Sequence, residues 1–213
     1  MKLYGFFRSS AAFRVRIALN LKGLAYDQEF IHLRKNAQSS PDYLKLNPQG
    51  LVPTLVDDGQ VLSQSLAIIE YLEETHPTPP LLPRDAAGRA RVRSLAEAIA
   101  CDIHPIDNLR VLQFLSKQLG HDAKDVETWF NHWIKVGFDG IETILAHDGK
   151  AGTFCHGDAP GLADICLVPQ VFNAKRYPSF DLTPYPTIQR IFDACMKRPA
   201  FDAAVPEKQP DAE

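Results

Sequence analysis

The sequence is short of several things, and each shortage removes a class of function. It has four cysteines, Cys101, Cys155, Cys166 and Cys195, and none before position 101. They are widely spaced, and a chain of this length has little need of disulfides, so reduced thiols acting as small buried hydrophobes are expected, with no metal site. No apolar run approaches the roughly 20 residues of a membrane span, and "MKLYGFF" lacks the basic segment and apolar stretch of a secretory signal. A cytoplasmic location is expected. Basic charge is not in excess: 23 Lys and Arg stand against 26 Asp and Glu, net −3. Neither nucleic acid nor an anionic membrane is therefore expected as a partner. Internal repeats are absent.

What is present suits two small domains. With 213 residues, 45% of them hydrophobic, the chain has enough apolar surface for two cores. "KLYGFF" is a strand-length apolar run, and "AFRVRIALNLKG" places Phe13, Ile17 and Leu21 at helical spacing with Gly23 as terminator. "AYDQEFIHL" alternates as a strand. "PTLVDDGQVL" reads as a hairpin about Asp58-Gly59, and "SQSLAIIEYLEETH" as a helix that Ser65 would cap. The order is β-α-β, then β-β-α.

"HPTPPLLPRD" excludes a helix interior or a central strand and reads as a linker. Beyond it only helical patterns remain, the first of them kinked or broken near Pro105. The expected fold class is α/β followed by all-α, with one domain over 1–80, a linker ending at 81–85 and a helical domain over 86–213. "GRARVRS", with Arg89, Arg91 and Arg93, reads as solvated or subunit-facing. "PEKQPDAE" reads as a frayed tail.

The first strand runs straight into the first helix at "RSSAAF", where Ser9 and Ser10 would meet the positive end of the helix dipole. One serine suffices as N-cap; the pair also suits an anion. In a thioredoxin-like domain this turn would hold a redox Cys-x-x-Cys, which is absent here. A hydroxyl there can instead donate to the sulfur of another molecule.

"RSSAAFRVRIALNLKG", "LNPQGLVPTL", "QSLAIIEYLEE", "PTPPLLP", "GLADICLVPQV" and "DLTPYPTI" together resemble the zeta class of glutathione transferases, which includes the maleylacetoacetate and maleylpyruvate isomerases. The likeness spans almost the whole chain. It implies a thioredoxin-like glutathione-binding domain, a helical domain that supplies much of the second-substrate pocket, and a homodimer. By the same resemblance Ser9 is the catalytic serine, its neighbour Ser10 shares the catalytic and glutathione-binding role, and Arg14, at the end of the motif, is a further glutathione contact. Val52-Pro53 is then the cis-proline turn that pairs with the cysteinyl part of glutathione, and Gln64 and Ser65 hold its γ-glutamyl end. Gln38 is a glycyl-end contact, and His104 and Asn108 reach glutathione from the second domain. Arg8, Arg110 and Arg176 are the candidates to clamp a dicarboxylate substrate.

The implied activity is cis–trans isomerisation of maleylacetoacetate by thiolate addition, bond rotation and elimination. Maleylpyruvate isomerisation and general glutathione transfer are the alternatives, and a non-catalytic assembly module is a further one. Two departures stand out. Ala11 occupies the place where the family pattern has Cys, and Gly161 the place where it has Ser or Thr three residues before Asp164.

Overall fold

Local patterning accounts for the first sheet. In the computed structural model, which describes residues 1–213, β1 (Lys2–Gly5) leads into α1 (Ser10–Leu21), followed by β2 (Asp27–Phe30). Two 3-10 turns and the short α2 (Pro41–Leu46) precede β3 (Thr54–Asp57), β4 (Gln60–Ser63) and α3 (Ser65–Thr75). The sheet order is β2-β1-β3-β4, with β1 and β2 parallel and the other pairs antiparallel. Parallel neighbours require a crossover, and α1 provides it. Asp58 and Gly59 close the β3–β4 hairpin with φ of 45° and 78°, the positive values a two-residue hairpin turn demands. The thioredoxin-like order expected from the sequence is thus met, with α2 added.

Helix α1 is buried almost all round: Phe13, Ile17 and Leu19 are at most 1% exposed, and Arg14 and Arg16 only 1% and 2%. Ser65 does not cap α3. Gln64 is the N-cap residue, without a side-chain cap bond, and Ser65 is the first helical residue. The proline-rich linker is pinned as well. Lys22 Nζ donates to Glu73 at 2.8 Å and to the carbonyls of His76 and Pro79, and Glu73 accepts the N–H of Leu81.

The chain divides into two compact units, Met1–Leu81 with Met196–Glu213, and Leu82–Cys195. The second unit therefore stops short of 213, and the supposed frayed tail is an ordered part of the first unit. Phe201 is fully buried, Val205 is 7% exposed and Gln209 6%. The short α10 (Pro199–Asp202) lies against α1, where Asn20 Nδ2 donates to Ala200 O at 3.0 Å. Polar composition signals fraying only where side chains face water; here Gln209 and Asp211 bond to backbone within the unit.

The second unit is helical: α4 (Ala86–Glu97), a π-helical turn (Ala98–Ile103), α5 (His104–Asp107), α6 (Leu109–Lys117), α7 (Ala123–His147), α8 (Leu162–Ala174) and α9 (Pro186–Met196). No helix of the chain is long and apolar enough to cross a membrane. Proline cannot donate to the preceding turn, and the ladder adapts by widening to π geometry before Pro105. The break itself falls at Asn108, whose backbone is extended. Ile103 packs against Gly137 of α7 so closely that a Cβ there would lie 2.2 Å from its Cδ1.

Two further expectations change. Arg91 is not solvated: its side chain, 15% exposed, pairs with Asp148 and donates to Cys155 O at 2.8 Å. Cys101 is exposed, whereas Cys155, Cys166 and Cys195 are buried, all four as free thiols. At Gly161 the missing hydroxyl leaves half a capping arrangement. Asp164 still accepts the N–H groups of Gly161 and Cys155, at 2.9 and 2.8 Å.

Candidate active site

The β1–α1 turn places Ser9 as N-cap of α1, with its Oγ accepting the N–H of Ala12 at 3.2 Å. A hydroxyl has one donor and two acceptor lone pairs, so capping leaves the O–H of Ser9 able to donate outward. The capping and the anion-binding readings of this turn are therefore compatible. Ser9 N–H itself bonds Phe6 O at 2.9 Å, and Phe13 N–H makes the first intrahelical bond to Ser9 O. The N–H groups of Ser10 and Ala11 precede that bond and lie at the positive end of the helix. Ser10 is 9% exposed. Arg8, half-buried beside the turn, has its guanidinium 5.7 Å from the Phe7 ring centroid.

Arg14 does not offer a surface to a ligand. Buried within the unit, it donates from Nη1 to Ser65 Oγ at 3.3 Å, so it links α1 to the start of α3. Gln64, one residue earlier, has φ of 68°. That left-handed backbone costs a non-glycine residue on the order of 1 kcal/mol or more and is typical of functional positions. The exposed Gln64 side chain donates to Gln49 Oε1 at 2.8 Å.

The Val52–Pro53 bond is cis. Neither the N–H nor the C=O of Val52 is paired within the chain, which leaves a short backbone edge open beside β3. Its support lies behind it. Tyr43 Oη and Asn47 Nδ2 both donate to Leu51 O, at 2.6 and 2.9 Å, and both also meet Thr54 Oγ1. Burial raises the Tyr43 phenol above its ordinary value and keeps it a neutral donor. Sequence reasoning missed Tyr43, Asn47, Thr54 and Gln49; an Asn-Pro-Gln-Gly turn at 47–50, shortly before Pro53, was the one available signal. Gln38 Nε2 donates to Asn36, while its buried Oε1 lacks a partner. An open peptide edge, an orphan acceptor and a donor hydroxyl at a helix N-terminus together fit a small peptide-like thiol.

The helical unit gathers its own group. Asn108 caps α6 by accepting from the N–H groups of Arg110 and Val111. His104 opens α5 one turn earlier, and Trp129 Nε1 donates to Ile106 O at 2.9 Å, holding α5 to α7. Between them Asp107 is 2% exposed, with neither carboxyl oxygen hydrogen-bonded. Burial alone pushes its pKa up to about 8. Tyr177 lies within electrostatic reach of Asp107 and Arg176, so the Arg176 corner belongs to the same neighbourhood. Arg110 and Arg176 are exposed, and Arg176 also donates to Asn173.

Residues 1–74 match the glutathione S-transferase N-terminal domain. Over 212 residues the chain is 51% identical to a maleylpyruvate isomerase of a Ralstonia species, with all of both chains covered. It is 50% identical to a probable maleylacetoacetate isomerase of Vibrio cholerae, over 99% of this chain and 97% of that one. Among solved structures, a bacterial zeta-class maleylpyruvate isomerase in its holo form superposes with a TM-score of 0.98 at 51% identity, over the whole of both chains. A maleylacetoacetate isomerase from Methylobacterium extorquens AM1, solved with malonate and GSH, gives 0.96 at 44% identity, again over both whole chains.

Proposed function

The chain belongs to the zeta class of glutathione transferases, and we propose that it is a glutathione-dependent cis–trans isomerase of maleylacetoacetate. The observation that carries this reading is the Ser9 turn, where the capping hydroxyl retains a proton to donate beside the free end of α1. Support comes from the relatives, which are named isomerases of maleylacetoacetate or maleylpyruvate. A second reading, maleylpyruvate as the acid, is favoured by the 51% identity and 0.98 TM-score to enzymes of that name. Fifty-one against 50% identity does not choose between them; steady-state rates with both acids do.

Glutathione, when bound, supplies a sulfur that adds to the conjugated double bond and later leaves it, so the bond can rotate and the cofactor is returned. The protein's task is to keep that sulfur ionised. A thiol of pKa near 8.5 is about 3% thiolate at pH 7, and lowering the pKa to about 6.5 makes it roughly three quarters thiolate, which takes about 2.7 kcal/mol. The α1 terminus contributes about 0.3–1 kcal/mol. A charge-assisted hydrogen bond from Ser9 contributes roughly 1.5–3 kcal/mol and closes the gap. Val52 offers its open N–H and C=O to the cysteinyl part, Gln64 and Ser65 serve the γ-glutamyl end, and Gln38 the glycyl end. His104 and Asn108 are assigned to glutathione by their match to the family. Arg14 acts through Ser65.

Arg8, Arg110 and Arg176 are assigned to the carboxylates of the substrate, where a guanidinium fork binds best. Replacing Arg176 or Arg8 by Met is expected to raise KM for the dicarboxylate at least tenfold while changing KM for a neutral electrophile less than twofold, a loss of about 1.4 kcal/mol or more. Equal weakening of both substrates makes the arginine structural. The reading includes a cytoplasmic homodimer: Phe114, Leu119 and Val136 are each more than half exposed, apolar surface that a second copy would cover. Sedimentation at micromolar concentration tests it.

A further inference from the structure

The turn that carries Ser9 hangs from Phe6 and Phe7, and the chain's last ordered segment grips that pair. Phe7 N–H donates to Asp211 Oδ2 at 3.0 Å, and Phe7 O accepts from Arg16 Nη2 at 3.0 Å. Arg16 Nε reaches the same segment through Ala204 O, also at 3.0 Å. One guanidinium thus joins the turn to residue 204, and one carboxylate joins residue 211 to the turn. The segment is fixed along its length: Gln209 Nε2 donates to Ala203 O and Val205 O, Gln28 donates to Gln209, and His32 Nε2 pairs with Glu213 at 2.6 Å. The His32 ring lies 5.2 Å from that of Phe6.

These contacts leave the Ser9 hydroxyl itself untouched, which suits a part that positions it. Arg16 is 2% exposed, a costly place for a charge. Burial pulls its pKa down to about 10, with the charge of Asp211 acting against that fall, so it remains a cation at neutral pH. A buried guanidinium used on two backbone carbonyls, one of them two residues before the proposed catalytic serine, spends its bonds on the geometry of the turn. The carbonyl of Phe6 then receives Ser9 N–H, completing the path from Asp211 to the serine.

We propose that Asp211 and Arg16 are positioning residues for Ser9, and that the 203–213 segment is a brace which sets where the hydroxyl points. The proposal rests on the assignment of Ser9 as holder of the thiolate, and it deepens that assignment. Misplacing a catalytic group by about 1 Å can cost up to 100-fold in rate, so loss of the Asp211 bond is expected to lower kcat by about tenfold while KM for glutathione changes little.

The test titrates the thiolate absorbance of bound glutathione in the wild type, Asp211→Ala, Asp211→Asn and Ser9→Ala, with the unfolding midpoint of each recorded. Asp211→Ala is expected to raise the pKa of the bound thiol, whereas Asp211→Asn, which keeps an oxygen to accept Phe7 N–H, stays near wild type. A lower midpoint in Asp211→Ala with an unmoved thiol pKa overturns the proposal, because the contact would then be structural only. Equal shifts in the Ala and Asn variants overturn it too, since the acceptor would be irrelevant. Ser9→Ala separates the two claims. If it leaves the thiol unmoved while Asp211→Ala moves it, the Ser9 assignment fails and the brace serves another donor of the turn; the reverse pattern sinks the brace alone.

Discussion

Ser9→Ala is expected to bind glutathione within a few-fold of wild type and to return the bound thiol to a pKa of about 8, below the free value of about 8.5 only by what the α1 terminus contributes. Turnover at pH 7 should fall by about 5- to 15-fold from the loss of thiolate alone, and by 100-fold or more if the hydroxyl also steadies the sulfur as it leaves. Affinity survives because the remaining proposed contacts, the Val52 edge and the Gln64–Ser65 pair, do not involve the hydroxyl. The helix survives less well. Ser9 also accepts Ala12 N–H, and losing an N-cap side chain costs about 1 kcal/mol. The two effects separate by substitution. Ser9→Gly keeps most of the cap energy, a few tenths of a kcal/mol below serine, but has no proton to donate, so it should resemble Ser9→Ala in thiol pKa and the wild type in stability. A bound thiol that stays ionised in both variants would transfer the role to Ser10 or to the free amides of α1.

The second large effect concerns stability against pH. Asp107 is an acid whose folded pKa, about 8, stands above the ordinary 3.8 because burial disfavours its charge. Below pH 3.8 the group is protonated whether the chain is folded or not, and it makes no difference. Between about 4 and 8 the unfolded chain releases the proton and the folded one keeps it, so stability falls with rising pH, by about 1.4 kcal/mol per unit at most. Above 8 the full cost is present, on the order of 5 kcal/mol. Asp107→Asn removes this titration. Its unfolding free energy is therefore expected to gain on the wild type as pH rises from 4 to 8, by several kcal/mol over that window. Denaturant unfolding at pH 4.5, 6 and 7.5 measures the gain; a constant difference between the two proteins across the three values would mean that Asp107 is ionised in the native state.

The parts legible in the sequence are those whose cause is local. Asp58-Gly59 announces a two-residue turn, Gly23 ends a helix, and the serines after β1 sit where a strand meets a helix; each was read from fewer than a dozen neighbouring residues. What was not legible depends on partners far along the chain. Phe7 and Asp211 are 204 residues apart, so "PEKQPDAE" read as frayed although Gln209 and Asp211 are hydrogen-bonded to the rest of the unit. Arg14 and Ser65, 51 apart, read as two separate ligand contacts, and the bond between them was not legible. Tyr43 and Asn47 carried no signal of their own, because a tyrosine and an asparagine in a polar loop are unremarkable until Leu51 O and Thr54 lie within reach of both. Near Pro105 the reading found the disturbance but not its form. The π-helical turn absorbs the missing N–H and moves the actual break to Asn108.

The central claim is that glutathione is a returned cofactor and the acid is only isomerised. Assaying free thiol alongside the loss of cis acid tests it in one experiment, with wild-type enzyme, glutathione and maleylacetoacetate or maleylpyruvate. The account predicts that the reaction stops when glutathione is omitted, that cis acid disappears when it is present, and that total free thiol stays constant while the trans acid accumulates mole for mole. A one-to-one fall of thiol with cis acid would contradict it and make the protein a conjugating transferase.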